Sequence, residues 1–164
     1  MQAVSQPGVA TYQRGFTLIE LMVVVSLLAV LLGVGVPSFR ATIESNRITT
    51  VTNDLVAALQ YARSEAVRTG VNHTVCASNN QSTCSGAWAN GWIVTRTPAN
   101  AAGVVKVWPA AREGVVIADP GVVVYTPLGN VTAARCFQID LNALRRFVGV
   151  GAAGRVAAAT NACP

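Results

Sequence analysis

The sequence predicts an α+β protein. A long N-terminal helix, transmembrane over its first half and amphipathic over its second, packs on a C-terminal antiparallel β-sheet domain with two disulfides. Three observations carry this expectation. Residues 16–36 form an apolar run holding a single charge, Glu20. Apolar residues then recur at helical spacing as far as Gly70. From Asn72 onward the chain is a series of short Val-, Ile- and aromatic-rich runs separated by Gly, Pro and Asn, and all four cysteines lie there.

The apolar run reads FTLIELMVVVSLLAVLLGVGV. As a helix it is about 31 Å long, close to the hydrocarbon thickness of a bilayer. A secretory signal peptide competes with a retained membrane helix. A signal core is about 7–15 residues long and ends on small residues. This run is longer and exits through Val34-Gly35-Val36-Pro37, which favours retention. Charge does not orient it, because Arg14 flanks one side and Arg40 and Arg47 the other. Pro37 removes a backbone hydrogen bond and is expected to bend the axis.

Beyond Pro37 the pattern becomes one-sided. Ile48, Val51, Leu55, Leu59, Ala62 and Ala66 mark one face, while Arg40, Glu44, Arg47, Asp54, Ser64, Glu65 and Arg68 supply the polar surface. Arg68 suits a last turn and Gly70 a C-cap. One helix is therefore expected from about Phe16 to Thr69, with residues 16–37 as the membrane and assembly half and 38–70 as the amphipathic half.

Residues 71–164 are expected to form the β domain. Strands are predicted at 75–77, 92–95, 104–108, 115–117, 122–126, 136–141 and 147–150, with an optional helix at 141–146. With no helical crossovers the sheet should be antiparallel. Trp92 alternates within an apolar strand and should be core, whereas Trp88, in a Gly-flanked loop, is expected to be exposed.

Cys76, Cys84, Cys136 and Cys163 allow three pairings. Cys76–Cys84 would close a local loop and Cys136–Cys163 would tie the C-terminus to the sheet, so these two are favoured. On the chain-entropy model they are worth about 2.6 and about 3.6 kcal/mol. The rival zinc site lacks CxxC spacing. Disulfides place the domain in an oxidising compartment, outside the cytoplasm.

Composition narrows the function. The chain has 164 residues, 52% hydrophobic and 12% charged, with a mean hydropathy of +0.45, which excludes intrinsic disorder. The net charge of +5 permits an anionic partner without demanding one. No nucleophile elbow surrounds a serine, and GVGAAG lacks the features of a P-loop. His73 with Ser64, Ser78 and Asp54 reads as structural. No catalytic residue, metal ligand or cofactor is expected, so an ATP-driven motor would have to be a partner.

Glu20 needs an explanation, since a carboxylate in a membrane span costs on the order of 2–3 kcal/mol and is usually partnered. A cut after Gly15 would put a new α-amine on Phe16, one helical turn from that carboxylate. At this point RGFTLIEL, residues 14–21, is very similar to the processing signal of type IV pilins and type II secretion pseudopilins. The resemblance implies a leader over residues 1–15, cleavage by prepilin peptidase between Gly15 and Phe16, and N-methylation of Phe16. It also implies that Glu20 pairs with the Phe16 amine of an adjacent subunit, and that Pro37 is the family's kink. The leader departs from the pattern in carrying one basic side chain, Arg14.

LVAALQYARSEAVRTG, the AWANGWIV segment, YTPLGNV and the C-terminal GAAGRV-to-Cys163 tail resemble the GspH/FimT pseudopilin domain. This resemblance implies a minor pilin or pseudopilin, one that helps to prime or cap a pilus or secretion filament. It implies a single-pass protein of the bacterial inner membrane with its C-terminal domain periplasmic. Its partners would be other major and minor pilins, prepilin peptidase, and the inner-membrane assembly platform with its ATPase. Some members bind DNA for uptake through a GRxR-like segment. Here Gly154-Arg155-Val156-Ala157 keeps the first arginine and not the second. DNA binding in natural transformation, through Arg155 with Arg145 and Arg146, is therefore the alternative expectation.

Overall fold

The structure is a computed structural model that describes residues 15–97, 103–118 and 120–163, with backbone alone at 34–38. Contacts divide the chain into Met1–Arg40 and Ala41–Pro164. The expected leader, residues 1–14 of it, and the side chain of Pro37 lie outside the described residues.

One α-helix, α1, runs Leu18–Thr69. Its start is capped: the Glu20 N–H donates to Thr17 Oγ1 at 3.2 Å, and the Leu21 N–H to the Thr17 carbonyl at 3.1 Å. Thr17-Leu18-Ile19-Glu20 has the spacing of a capping box. The helix stops where Gly70 takes φ +69° and its N–H donates to the Ala66 carbonyl at 3.0 Å. Backbone helix is continuous through Pro37.

In the Ala41–Pro164 unit the apolar face named from spacing is the core face. Ile48, Val51, Leu55, Leu59, Ala62 and Ala66 are all buried, and Ala58 joins them. They face two four-stranded antiparallel sheets. The strands are β1 (His73–Ala77), β2 (Trp92–Arg96), β3 (Val104–Trp108), β4 (Val116–Ile117), β5 (Val123–Tyr125), β6 (Arg135–Leu141), β7 (Leu144–Val150) and β8 (Val156–Ala159). The first sheet has the order β3-β2-β1-β5 and the second β4-β6-β7-β8.

β1 is buried along its whole length. Val75 and Ala77 join the core shared with α1. Cys76 faces the other side of the pleat, where its bond to Cys84 fastens the 78–86 loop. The second disulfide joins Cys136 in β6 to Cys163. At the first sheet's β3 edge the Lys106 ammonium sits 4.9 Å from the ring centres of both Tyr61 and Trp108, so a charged residue there also covers apolar surface.

Two expectations need correction, and one strand was not expected. Trp88 is buried, at 1% exposure, on a 3₁₀ turn (Trp88–Asn90). Its ring packs edge-on against Phe137 of the second sheet, with centroids 4.7 Å apart, and lies 6.5 Å from Trp92 of the first. Gly91 closes that turn at φ +114°, where a Cβ would stand 2.7 Å from the Trp108 carbonyl oxygen. Residues 141–146 are a β hairpin and not a helix: Asn142 takes φ +52° at the turn, and Leu141 pairs with Leu144. β8 is a strand that no apolar or β-branched run announced, because it reads Val-Ala-Ala-Ala.

Tyr125 is fully buried, and its hydroxyl has no partner among the described residues. Burial pushes its pKa up to about 12. An unfolded phenol ionises near pH 10. Between those values the unfolded state binds fewer protons than the folded one, so stability is intact below pH 10 and falls as pH rises toward 12. The expected loss is about 2–3 kcal/mol across that window. Tyr125→Phe should lose stability less steeply there and be no less stable at pH 7. Urea unfolding at a series of pH values checks this.

Candidate functional site

Two surfaces carry the residues singled out from sequence. The first is the start of α1. Residues 15–33 are exposed on every side, with Phe16 at 84% and Leu18 at 77%. Glu20 is the lone charge among them, and its backbone N–H is already taken by Thr17. Among the described residues no helix is long and apolar enough to cross a membrane. The apolar run at the start of α1 is described with its side chains as far as residue 33, and with backbone alone over 34–38. What they form is an unburied apolar cylinder, which water does not stabilise and which another apolar partner would cover.

The second surface lies where α1 meets the β7–β8 hairpin. A concavity of about 480 Å³ is lined by Gln60, Arg63, Ser64, Val67 and Arg68 of α1 and by Gly154, Arg155 and Val156. Gly154 is required at the hairpin. It takes φ +74°, and a Cβ there would stand 1.9 Å from the Gly129 carbonyl oxygen. Arg63 Nη2 donates to the Ala153 carbonyl at 3.2 Å, which holds the hairpin to the helix. Arg68 pairs with Glu65 at 2.6 Å, and that pairing lowers the carboxyl pKa of Glu65.

The three arginines expected to act together are not together. Arg145 points to the outer face of the second sheet and pairs with Asp140 at 2.7 Å, holding that carboxyl below its ordinary range. Arg146, the next residue, pairs in register with buried Ile139 and so faces inward. It lines a separate concavity with Thr49, Thr52 and Ala158. Arg155 instead joins Arg63 and Arg68. Sequence reasoning missed those two as partners of Arg155, because only the fold brings residues 63, 68 and 155 to one groove. It also missed the Thr17 cap, although the T-x-x-E spacing was available to find it.

His73 is fully buried. Its Nδ1 lies 3.0 Å from the Val71 carbonyl, and its Nε2 has no partner among the described residues. Ser78 Oγ donates to Asn80 Oδ1 and Ser64 Oγ to the Tyr61 carbonyl. These serines and the histidine are thus engaged separately.

A long helix, bare and apolar at its start and then built into the core of an antiparallel β domain, defines the pilin-like class. The comparisons narrow that class. Residues 51–158 match the family described as Type II transport protein GspH, and residues 11–36 match the prokaryotic N-terminal methylation motif. The chain belongs to the GspH family. Among solved structures it is similar to the type IV minor pilin FimU of Pseudomonas aeruginosa PAO1, with a TM-score of 0.59 at 22% identity. That match covers 74% of this chain and 98% of the other. It is also similar to the minor pseudopilin EpsH from the type 2 secretion system of Vibrio cholerae, with a TM-score of 0.51 at 12% identity, covering 70% of this chain and 97% of the other. At those identities the likeness is one of fold. No curated protein matches the chain.

Proposed function

We propose that this chain is a non-catalytic minor subunit of a type IV pilus or type II secretion pseudopilus. Its precursor spans the bacterial inner membrane once, with the β domain in the periplasm. Prepilin peptidase cuts between Gly15 and Phe16, and Phe16 is then N-methylated. The assembly platform and its ATPase move the mature helix into a bundle with other major and minor pilins, where the subunit primes or caps the filament. The observation that carries this reading is the apolar, all-round exposed start of α1 with one carboxylate, Glu20, a turn beyond Phe16. Mass spectrometry of the protein from its host membrane should find a chain starting at N-methylated Phe16. A chain that begins at Met1, or one that begins beyond Val36, overturns the proposal.

A second reading, DNA capture in uptake, rests on Arg155 standing exposed beside Arg63 and Arg68. It predicts phosphate contacts from this trio, without Arg145. Binding would then weaken steeply with salt, and a gel shift that survives Arg155→Ala unchanged overturns it.

A further inference from the structure

The two sheets have four edge strands: β3, β5, β4 and β8. An open edge invites another chain unless it is blunted. β3 carries Lys106 and pairs with β2 through a register shift at Val94/Thr95. β5 has three residues and is closed off by the Tyr125–Val131 bridge. β4 has two residues. β8 has none of these guards. Its four residues include no charge, no proline and no bulge. Among the described residues its backbone bonds go to β7 alone.

This edge is also held rigid. Gly154, wedged against the Gly129 carbonyl, fixes where β8 begins. The Cys136–Cys163 bond ties down the chain that follows it. A preorganised edge loses little entropy when it is paired. Along one side, between β8 and α1, lie the two concavities already described, about 480 Å³ at the Val156 end and about 200 Å³ at the Ala158 end. The small alanine side chains leave that strip open. Arg63, Arg68 and Arg155 stand at one end and Arg146 at the other, and Glu65, the carboxylate beside them, is already bound to Arg68.

We propose that the open edge of β8 receives an extended, acidic polypeptide segment of a neighbouring protein as an added strand. Main-chain bonds supply the pairing, and alternate acidic side chains reach the arginines at the two ends. DNA fits the edge less well. A phosphate offers acceptors to the strand's N–H groups but no donors to its carbonyls, and a peptide offers both. The inference rests on the subunit reading only for where the segment comes from. An assay with a synthetic peptide can fail without touching helix-driven assembly.

The probe is a short fluorescein-labelled peptide alternating Glu and Val, titrated by anisotropy into the full chain in detergent micelles. Saturable binding is expected below about 1 mM. N-methylating every amide of the peptide, so that neither edge of it can donate, or replacing its Glu by Lys, should each weaken binding at least about tenfold. Arg155→Ala should weaken it several-fold. Successive strand N–H groups point to opposite sides, so of Ala157→Pro and Ala158→Pro one should keep the thermal midpoint and lose the peptide. No binding up to about 1 mM overturns the proposal, as does equal binding of the N-methylated peptide. A DNA duplex that binds more tightly than the peptide and displaces it assigns the surface to nucleic acid instead, which also overturns it.

Discussion

Trp88→Ala is expected to destabilise the β domain by about 3–5 kcal/mol, the range for removing a large buried aromatic. Against a total of about 5–15 kcal/mol for a typical domain, that is a large share. The reason is position. The Trp88 indole contacts Phe137 of one sheet and approaches Trp92 of the other, so its removal leaves a void where the two sheets meet. Neither sheet can move in to fill it, because each is also packed on α1 through the same core. The edge-on contact with Phe137 adds about 0.5–1.5 kcal/mol beyond burial. Trp88→Phe keeps part of the ring and should recover more than half of the loss. Urea unfolding of the full chain in detergent, followed by far-ultraviolet circular dichroism, reads both variants without relying on the indole that is removed. A loss below about 1 kcal/mol, the size of an ordinary substitution, would show that the sheets do not depend on this ring.

Glu20→Ala should cut the amount of this subunit recovered in sheared filaments or pseudopili at least about tenfold, on the scale of one lost, poorly solvated charge pair. Its level in the membrane fraction should stay unchanged. The cap geometry separates this effect from mere fraying. Thr17 Oγ1 accepts the Glu20 backbone N–H, not its carboxylate, so alanine at position 20 keeps that bond. What the helix start loses is the carboxylate's interaction with the dipole, about 0.3–1 kcal/mol. Thr17→Ala is the matched control: it removes the cap at a cost of about 1 kcal/mol and leaves the charge. If both variants assemble poorly to the same degree, the defect lies in helix ending and not in the carboxylate. Normal recovery of Glu20→Ala would remove the charge from the assembly account. Immunoblots of the two fractions give the answer.

How much of this was legible in the sequence follows from range. Helical spacing named the buried face of α1 residue by residue, because 3.6-residue periodicity is local. β3 was placed to the residue, since turn residues punctuate β-rich runs. Trp88 was misplaced because its burial is decided by Phe137, 49 residues further on, and no local pattern encodes that contact. β8 was invisible because alanine announces no strand, and it forms by pairing with β7. The groove was half legible. Arg155 stood out within its motif, while Arg68 read as an ordinary polar-face residue and Arg63 was not singled out; only the fold sets both beside the hairpin.

The Thr17 cap has one more consequence. The helix geometry at Leu18 is set by a hydroxyl that lies downstream of the Gly15–Phe16 bond, so scission there asks for no refolding. It would create a cation at the N-terminal, positive end of α1. That arrangement is self-repelling, and the nearest compensating anion in the sequence is Glu20. Maturation would therefore act less as a shape change than as the switching-on of an unmet electrostatic demand, which a neighbour's acid can answer.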